Sequence, residues 1–231
     1  DDVLLYKARL LVPHPDGGFS NQLTDVVEVA TYNAPSPIPS YLAVPVAKAG
    51  ETVLDPAAFY TAYAIKYGVT DPRTHHVPRR GLRIVNRLGE QRIDTRGPAM
   101  LLVRAAVDAT TQPDDPPDGF RHYYKCYRVK RTAGSPKLPG GLVVTVDGPL
   151  TPPEAFRLGS ARKWCVPAWN PPYFTPANPV AQLLCYRARR ASPAPLTVPP
   201  RRFVTDAIDQ YPMQLEVRSP AEVCIPSLLD P

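Results

Sequence analysis

One phrase is written four times along this chain, and nothing else restricts its fold as tightly. "LLYKARL" (4–10), "TAYAIKY" (61–67), "KCYRVKR" (125–131) and "LLCYRARR" (183–190) each set a tyrosine in a short apolar–basic alternation. A second phrase follows each: "YLAVPVAK" (41–48), "MLLVRAAV" (100–107), "KWCVPAW" (163–169) and "EVCIPSL" (222–228). From Tyr6, Tyr63, Tyr127 and Tyr186 to Pro45, Arg104, Pro167 and Pro226 the separations are 39, 41, 40 and 40 residues. Between the phrases lies a polar break with a short alternating run, in "NQLTDVVEVA" (21–30), "NRLGEQRIDTRGP" (86–98), "DGPLTPPEAFRLGS" (147–160) and "DAIDQYPMQLEVRSP" (206–220). Self-similarity at a fixed period marks a repeat architecture, with units at 1–54, 55–112, 113–172 and 173–231.

The phrases alternate with the period of two that belongs to strands. One face carries Tyr6, Ala8 and Leu10, then Tyr63, Ile65 and Tyr67, then Tyr127 and Val129, then Tyr186 and Ala188; this is the expected core face. The opposite face carries Lys7, Arg9, Lys66, Arg128, Lys130, Arg187 and Arg189, and is expected to meet solvent. In the second phrase Leu42 and Val44, Leu101 and Val103, Trp164 and Val166, and Val223 and Ile225 form the apolar set. The 31 prolines leave no proline-free stretch longer than 19 residues. Proline breaks helix interiors, so long helices are excluded and short strands with proline-rich connections are favoured. The expected fold is all-β: four tandem repeats of short antiparallel strands, as small sandwiches or barrels. Whether the units close separately or pair into two lobes stays open; "TTQPDDPPDG" (110–119) reads as a hinge between two halves.

The four cysteines occur only in the last two units, each time as a pair 39 residues apart. The matching positions are Leu5 and Ala43 in the first unit, Ala62 and Leu102 in the second. Cysteines that are present or absent together predict Cys126–Cys165 and Cys185–Cys224 disulfides, placed by the alternation on the non-core face. Of the three connectivities open to four cysteines, internal repetition selects this one. A loop of this length closed by a bridge is worth about 4 kcal/mol in the chain-entropy picture. Disulfides persist in oxidising compartments, and the chain opens at Asp1 without a methionine; both suggest an exported protein whose signal peptide has been removed. No apolar run approaches the length of a membrane helix.

On these phrases the chain resembles an uncharacterised tandem β-repeat domain, a domain of unknown function, of exported bacterial proteins. The family's unit reads Cys-Tyr-(Lys/Arg), an Asp/Asn-Gln-Phe-like turn, then Leu-Cys-x-Pro. "CYRVK" (126–130) with "WCVP" (164–167), and "CYRAR" (185–189) with "VCIP" (223–226), match best, with "NRLGEQRIDTRGP" and "NQL" (21–23) at the turn. The resemblance implies the repeat fold and export. It carries no activity and no functional residue, and the first two units depart from it by lacking both cysteines.

No nucleophile elbow, phosphate loop, dinucleotide fingerprint or zincin helix motif occurs. The histidines are His14, His75, His76 and His122, and the 75–76 pair suggests no third metal ligand. Asp114, Asp115 and Asp118 lack calcium-loop spacing and lie among prolines. Glu28, Glu51, Glu90, Glu154, Glu216 and Glu222 do not single out a carboxylate pair. The best candidate interaction surface is "KWCVPAWNPPYF" (163–174), where Trp169, Tyr173 and Phe174 sit beside prolines and Trp164 reads as core. The net charge is +6, with the basic residues scattered as pairs.

The resulting expectation is a non-enzymatic structural or interaction protein, extracellular or at the cell surface, with no cofactor and no metal. It would be a subunit of an assembly, filament or surface layer, partnered by itself or by cell-surface components. The alternative is a carbohydrate- or polyanion-binding module; no specific nucleic acid is implied.

Overall fold

The computed structural model describes residues 1–11, 19–25, 27–67, 76–114, 123–169, 180–192, 201–206, 208 and 213–230. These residues are all-β. The strands are β1 (Asp2–Leu10), β2 (Phe19–Asp25), β3 (Val29–Ala34), β4 (Tyr41–Lys48), β5 (Phe59–Ala64), β6 (Lys66–Tyr67) and β7 (Leu82–Asn86), followed by β8 (Gly89–Asp108), β9 (Tyr123–Arg131), β10 (Val143–Gly148), β11 (Thr151–Trp169), β12 (Gln182–Arg190), β13 (Arg201–Asp206) and β14 (Met213–Asp230). Every pairing between them is antiparallel.

The pairings close a barrel. β1 pairs β4, β4 pairs β5, β5 pairs β8, β8 pairs β9, β9 pairs β11, β11 pairs β12, β12 pairs β14, and β14 returns to β1. The eight wall strands carry the tyrosine phrases and the closing phrases in alternation. The four segments therefore do not close separate cores, as small sandwiches or barrels would; they share one wall, and each closing strand pairs with the next segment's opening strand. Of the expected hinge at 110–119, residues 115–119 lie outside the described residues, but the halves on its two sides are not loose. β8 and β9 on its two sides are held by a ladder from Ile93↔Arg131 to Val103↔Tyr123.

The polar breaks form hairpins on the outside of this wall: β2–β3, β7 with the start of β8, β10 with the start of β11, and β13 with the start of β14. Each docks its first strand on a closing strand two segments away: β2 on β11, β7 on β14, β10 on β4 and β13 on β8. Two layers of buried side chains follow, divided into four apolar clusters, of which the two largest lie one in each layer. The outer one lies between wall and hairpins and holds Tyr6, Tyr127, Tyr186, Trp164, Ile84, Ile93, Phe156 and Val223. The inner one fills the lumen with Val3, Leu5, Ala43, Tyr60, Ala62, Met100, Leu102, Leu183 and all four cysteines.

The cysteine face is thus a core face, which corrects the expectation from alternation: all four cysteines are fully buried. Period two separates the faces of a strand but cannot tell which is covered when hairpins cover one and the barrel encloses the other. The tyrosine face is buried as expected, with Tyr6, Tyr63, Tyr127 and Tyr186 all at 0% exposure. No helix among the described residues is long and apolar enough to cross a membrane.

Candidate functional site: a basic barrel mouth and a buried lysine cluster

Along each opening strand the inward-facing row changes from apolar to basic. On β1 it runs Val3, Leu5, Lys7, Arg9; on β9 it passes from Cys126 to Arg128 and Lys130; on β12 it runs Leu183, Cys185, Arg187, Arg189. On β5 and β6 Tyr60, Ala62 and Ala64 lead to Lys66. The first residues of each row are buried in the lumen; Lys7, Arg9, Lys66, Arg128, Lys130, Arg187 and Arg189 are exposed. Side chains of one parity can be apolar inside and charged at the rim because the lumen ends there and water begins.

The closing strands run the other way and bring Tyr41, Met100, Lys163 and Glu222 to the same rim, with Lys7 opposite Tyr41 and Arg187 opposite Glu222. Lys163 closes the lumen: its Nζ lies 2.5 Å from Glu222 Oε1 and 5.4 Å from the Tyr41 ring centre. Burial, aided by the Glu222 carboxylate, raises the Tyr41 phenol above its ordinary range. Outside this plug, Arg9 pairs with Glu216 at 2.9 Å and Lys130 with Asp94 at 3.5 Å. Lys7, Lys66, Arg128, Arg187 and Arg189 make no ion pair among the described residues, Glu222 opposite Arg187 being engaged by Lys163. Gly159 makes room for Arg187, because a Cβ there would come within 3.3 Å of the arginine's own Cβ. Beside β1 a groove of about 400 Å³ opens at the rim, lined by Lys7, Arg9, Ile38, Pro39, Tyr41 and Arg218.

A second constellation lies on the outer face of β9. Lys125 shares the apolar parity of Tyr127 and Val129, where the other opening strands carry Leu4, Thr61 and Leu184. It is fully buried, with Nζ 2.5 Å from Asp25 Oδ2, 2.7 Å from the Tyr32 hydroxyl and 3.5 Å from Glu28 Oε1. Asp25 ends β2, and its Oδ1 accepts the backbone N–H groups of Val27 and Glu28 at 2.6 and 3.0 Å. The Tyr127 hydroxyl lies 2.9 Å from Asp25 Oδ2 and 3.0 Å from Glu28 Oε1. Tyr32 and Tyr67 also donate to Glu28. The lysine Nζ stands 4.3 Å over the Tyr32 ring and 5.1 Å from the Tyr127 ring centre.

Burial pushes the Lys125 ammonium below its ordinary range, against the pull of both carboxylates. At Glu28 burial acts upward, but the Tyr32 hydrogen bond, the lysine charge and the other tyrosines outweigh it and leave the carboxyl below its usual value. Reading the sequence missed this cluster. Lys125 shares the parity of Tyr127 in the sequence, but nothing local marks Asp25 and Glu28 as its partners, about a hundred residues away on a hairpin that docks two segments along.

The structure joins Cys126 to Cys165 and Cys185 to Cys224. The bridges lie side by side in the lumen, with Cys165 Sγ 3.7 Å from Cys185 Sγ. Trp164 is buried and donates Nε1–H to Gln182 Oε1 at 3.0 Å. Trp169 is half-buried, its backbone paired with Thr24 of β2; Tyr173 and Phe174 lie outside the described residues, as do His14, His75, His122, Asp115 and Asp118. His76 sits against Thr95 at 2.8 Å, and burial lowers its pKa. Among the described residues no three His, Cys, Asp or Glu side chains group as metal ligands.

Fold and site define a closed, disulfide-bridged β-barrel with a cationic rim. No family model matches the chain, and no curated protein or solved structure is significantly similar to it.

Proposed function

We propose that the chain is a non-enzymatic, exported binding module, built from four copies of one unit, that holds an anionic polymer such as a cell-surface polysaccharide at its basic barrel mouth. The observation that carries this reading is the recurrence of an exposed cation at the rim end of every opening strand, several of them without an acidic partner among the described residues. One exposed charge contact is worth about 0.2–1 kcal/mol, so affinity would come from several contacts made together. Two disulfides suit the oxidising side of a membrane. The alternative, a filament or surface-layer subunit growing by strand addition, needs free strand edges. Each of the eight wall strands already has a neighbour on both sides, and this weighs toward ligand binding.

The test is retention on heparin and on acidic polysaccharide columns across a salt gradient, since screening weakens exposed charge contacts. Replacing Lys7, Arg128 and Arg187 by glutamine is expected to weaken binding roughly tenfold, at about 0.5 kcal/mol per contact. Replacing Lys48, Arg83 and Arg92 by glutamine changes net charge equally and should cost much less. Equal losses in the two triple variants, or elution of the wild type at the lowest salt, would sink the proposal.

A further inference from the structure

The buried cluster on β9 holds the parts of a reaction as well as those of an ion pair. An amine and a carboxyl in contact do not condense in water, because the stable species there are ammonium and carboxylate. Enclosure changes the balance. Taking two charges out of water is costly, and moving one proton from Nζ to the carboxylate replaces them by neutral amine and neutral acid. Lys125 and the Asp25 side chain are both fully enclosed, at 0% exposure, with aromatic rings around the lysine. The rest of the geometry matches what acyl transfer needs. A nucleophile must sit at the acyl group, with hydrogen-bond donors at the oxygen that becomes an oxyanion and a group able to move protons. The Val27 and Glu28 N–H groups converge on Asp25 Oδ1, the lysine faces Oδ2, and Glu28 Oε1 stands 3.5 Å from Nζ. Tyr127 bridges Oδ2 and Glu28.

We propose that Lys125 and Asp25 condense spontaneously into an intramolecular amide, with Glu28 moving the proton and the Val27 and Glu28 amides stabilising the oxyanion. One proton passes from Nζ to Asp25 Oδ2, and the neutral amine attacks Cγ to form the C–N bond. Negative charge gathers on Oδ1. A second proton leaves Nζ for Glu28 Oε1 and is returned through Tyr127 to the Oδ2 hydroxyl. The C–Oδ2 bond then breaks and water departs. The products are an amide, one water and a Glu28 carboxylate again, so charge and atoms balance without an oxidant or co-reactant. The amide would fasten the β2–β3 hairpin to the wall.

The experiment is intact-mass spectrometry of the purified, folded full chain after reduction and alkylation, followed by proteolysis and fragment sequencing. The expected result is a mass short by one water molecule and a branched peptide joining the segments of Asp25 and Lys125. Lys125→Arg keeps the positive charge but has no nucleophilic amine, and Glu28→Gln keeps both reacting groups; each should show the full mass. A full mass for the folded wild type overturns the proposal. So does a water loss that survives in Lys125→Arg, which would mark cyclisation of the aspartate onto its own backbone. Water loss that persists in Glu28→Gln overturns the assigned role of Glu28.

Discussion

Replacing the Cys126–Cys165 bridge by the pair found at the matching positions of the second segment separates two contributions of that bridge. The double substitution Cys126→Ala with Cys165→Leu copies Ala62 and Leu102, which share the lumen cluster with the cysteines. The bridge spans a sequence separation of 39 residues, and closing such a loop removes about 4 kcal/mol of unfolded-state entropy in the chain-entropy picture. The leucine returns about 1 kcal/mol through added apolar burial. The net loss expected is about 3 kcal/mol, or roughly 6–12 °C in melting temperature for a chain of this size. Urea unfolding under non-reducing conditions measures it, with the slope against denaturant expected to rise in the variant because the freed unfolded chain exposes more surface. The loop 126–165 does not overlap 185–224, so the second bridge should not shield the effect. A loss below about 1 kcal/mol would refute the entropic account and make the bridge a mere occupant of the lumen.

The single substitution Cys126→Ser should behave differently. It leaves Cys165 as a thiol 3.7 Å from Cys185, poised to attack the remaining bridge, so peptide mapping should find a Cys165–Cys185 disulfide with Cys224 free; an intact Cys185–Cys224 bridge would contradict this. Gly148→Ala should destabilise by about 2 kcal/mol through overpacking, because its Cβ would lie 2.5 Å from the Pro45 carbonyl oxygen and 2.9 Å from Val46 Cγ1; an unchanged melting temperature would refute that. Asp94 is held below its ordinary 3.8, first by the Thr132 hydroxyl and then by the Gly81 amide. A depressed carboxyl adds stability above its unfolded value that is lost as pH falls through the folded one. Asp94→Asn should therefore flatten the acid limb below about pH 4 in urea midpoints, and an unaltered limb would remove Asp94 from the account.

What could be read from the sequence depended on how far a residue's partner lay along the ladder. Tyr6, Tyr63, Tyr127 and Tyr186 read as a buried face because period two is local. The cysteine pairs are legible because cysteines occupy matching repeat positions together or not at all; the structure adds that the strands carrying them, such as β12 and β14, are neighbours in the wall. Barrel closure was not legible, because β1↔β14 joins the two ends of the chain and alternation says nothing about which strands meet. The basic residues read as a solvated face, and they are exposed. Their convergence on one rim follows only from closure, which turns four separate strand ends into a ring.

Closure also explains why β9 is the strand with the most at stake. Its neighbours in the wall are β8 and β11, one from the half without cysteines and one from the half with them. Successive residues of a strand point to opposite faces, so Lys125 and Cys126 fasten β9 outward and inward at the same place. Cys126 ties it to β11 through the lumen. Lys125 ties it through Asp25 to a hairpin of the first segment, which carries no bridge of its own. A leucine at 125, as at positions 4 and 184, would pack the outer core but leave that hairpin to the β2–β11 and β3–β6 pairings and the Tyr127 hydrogen bonds. Asp25 would then be left buried without its cation, a loss of about 3–5 kcal/mol. The lysine therefore adds to the backbone pairings of this hairpin a buried charge contact that a leucine could not replace.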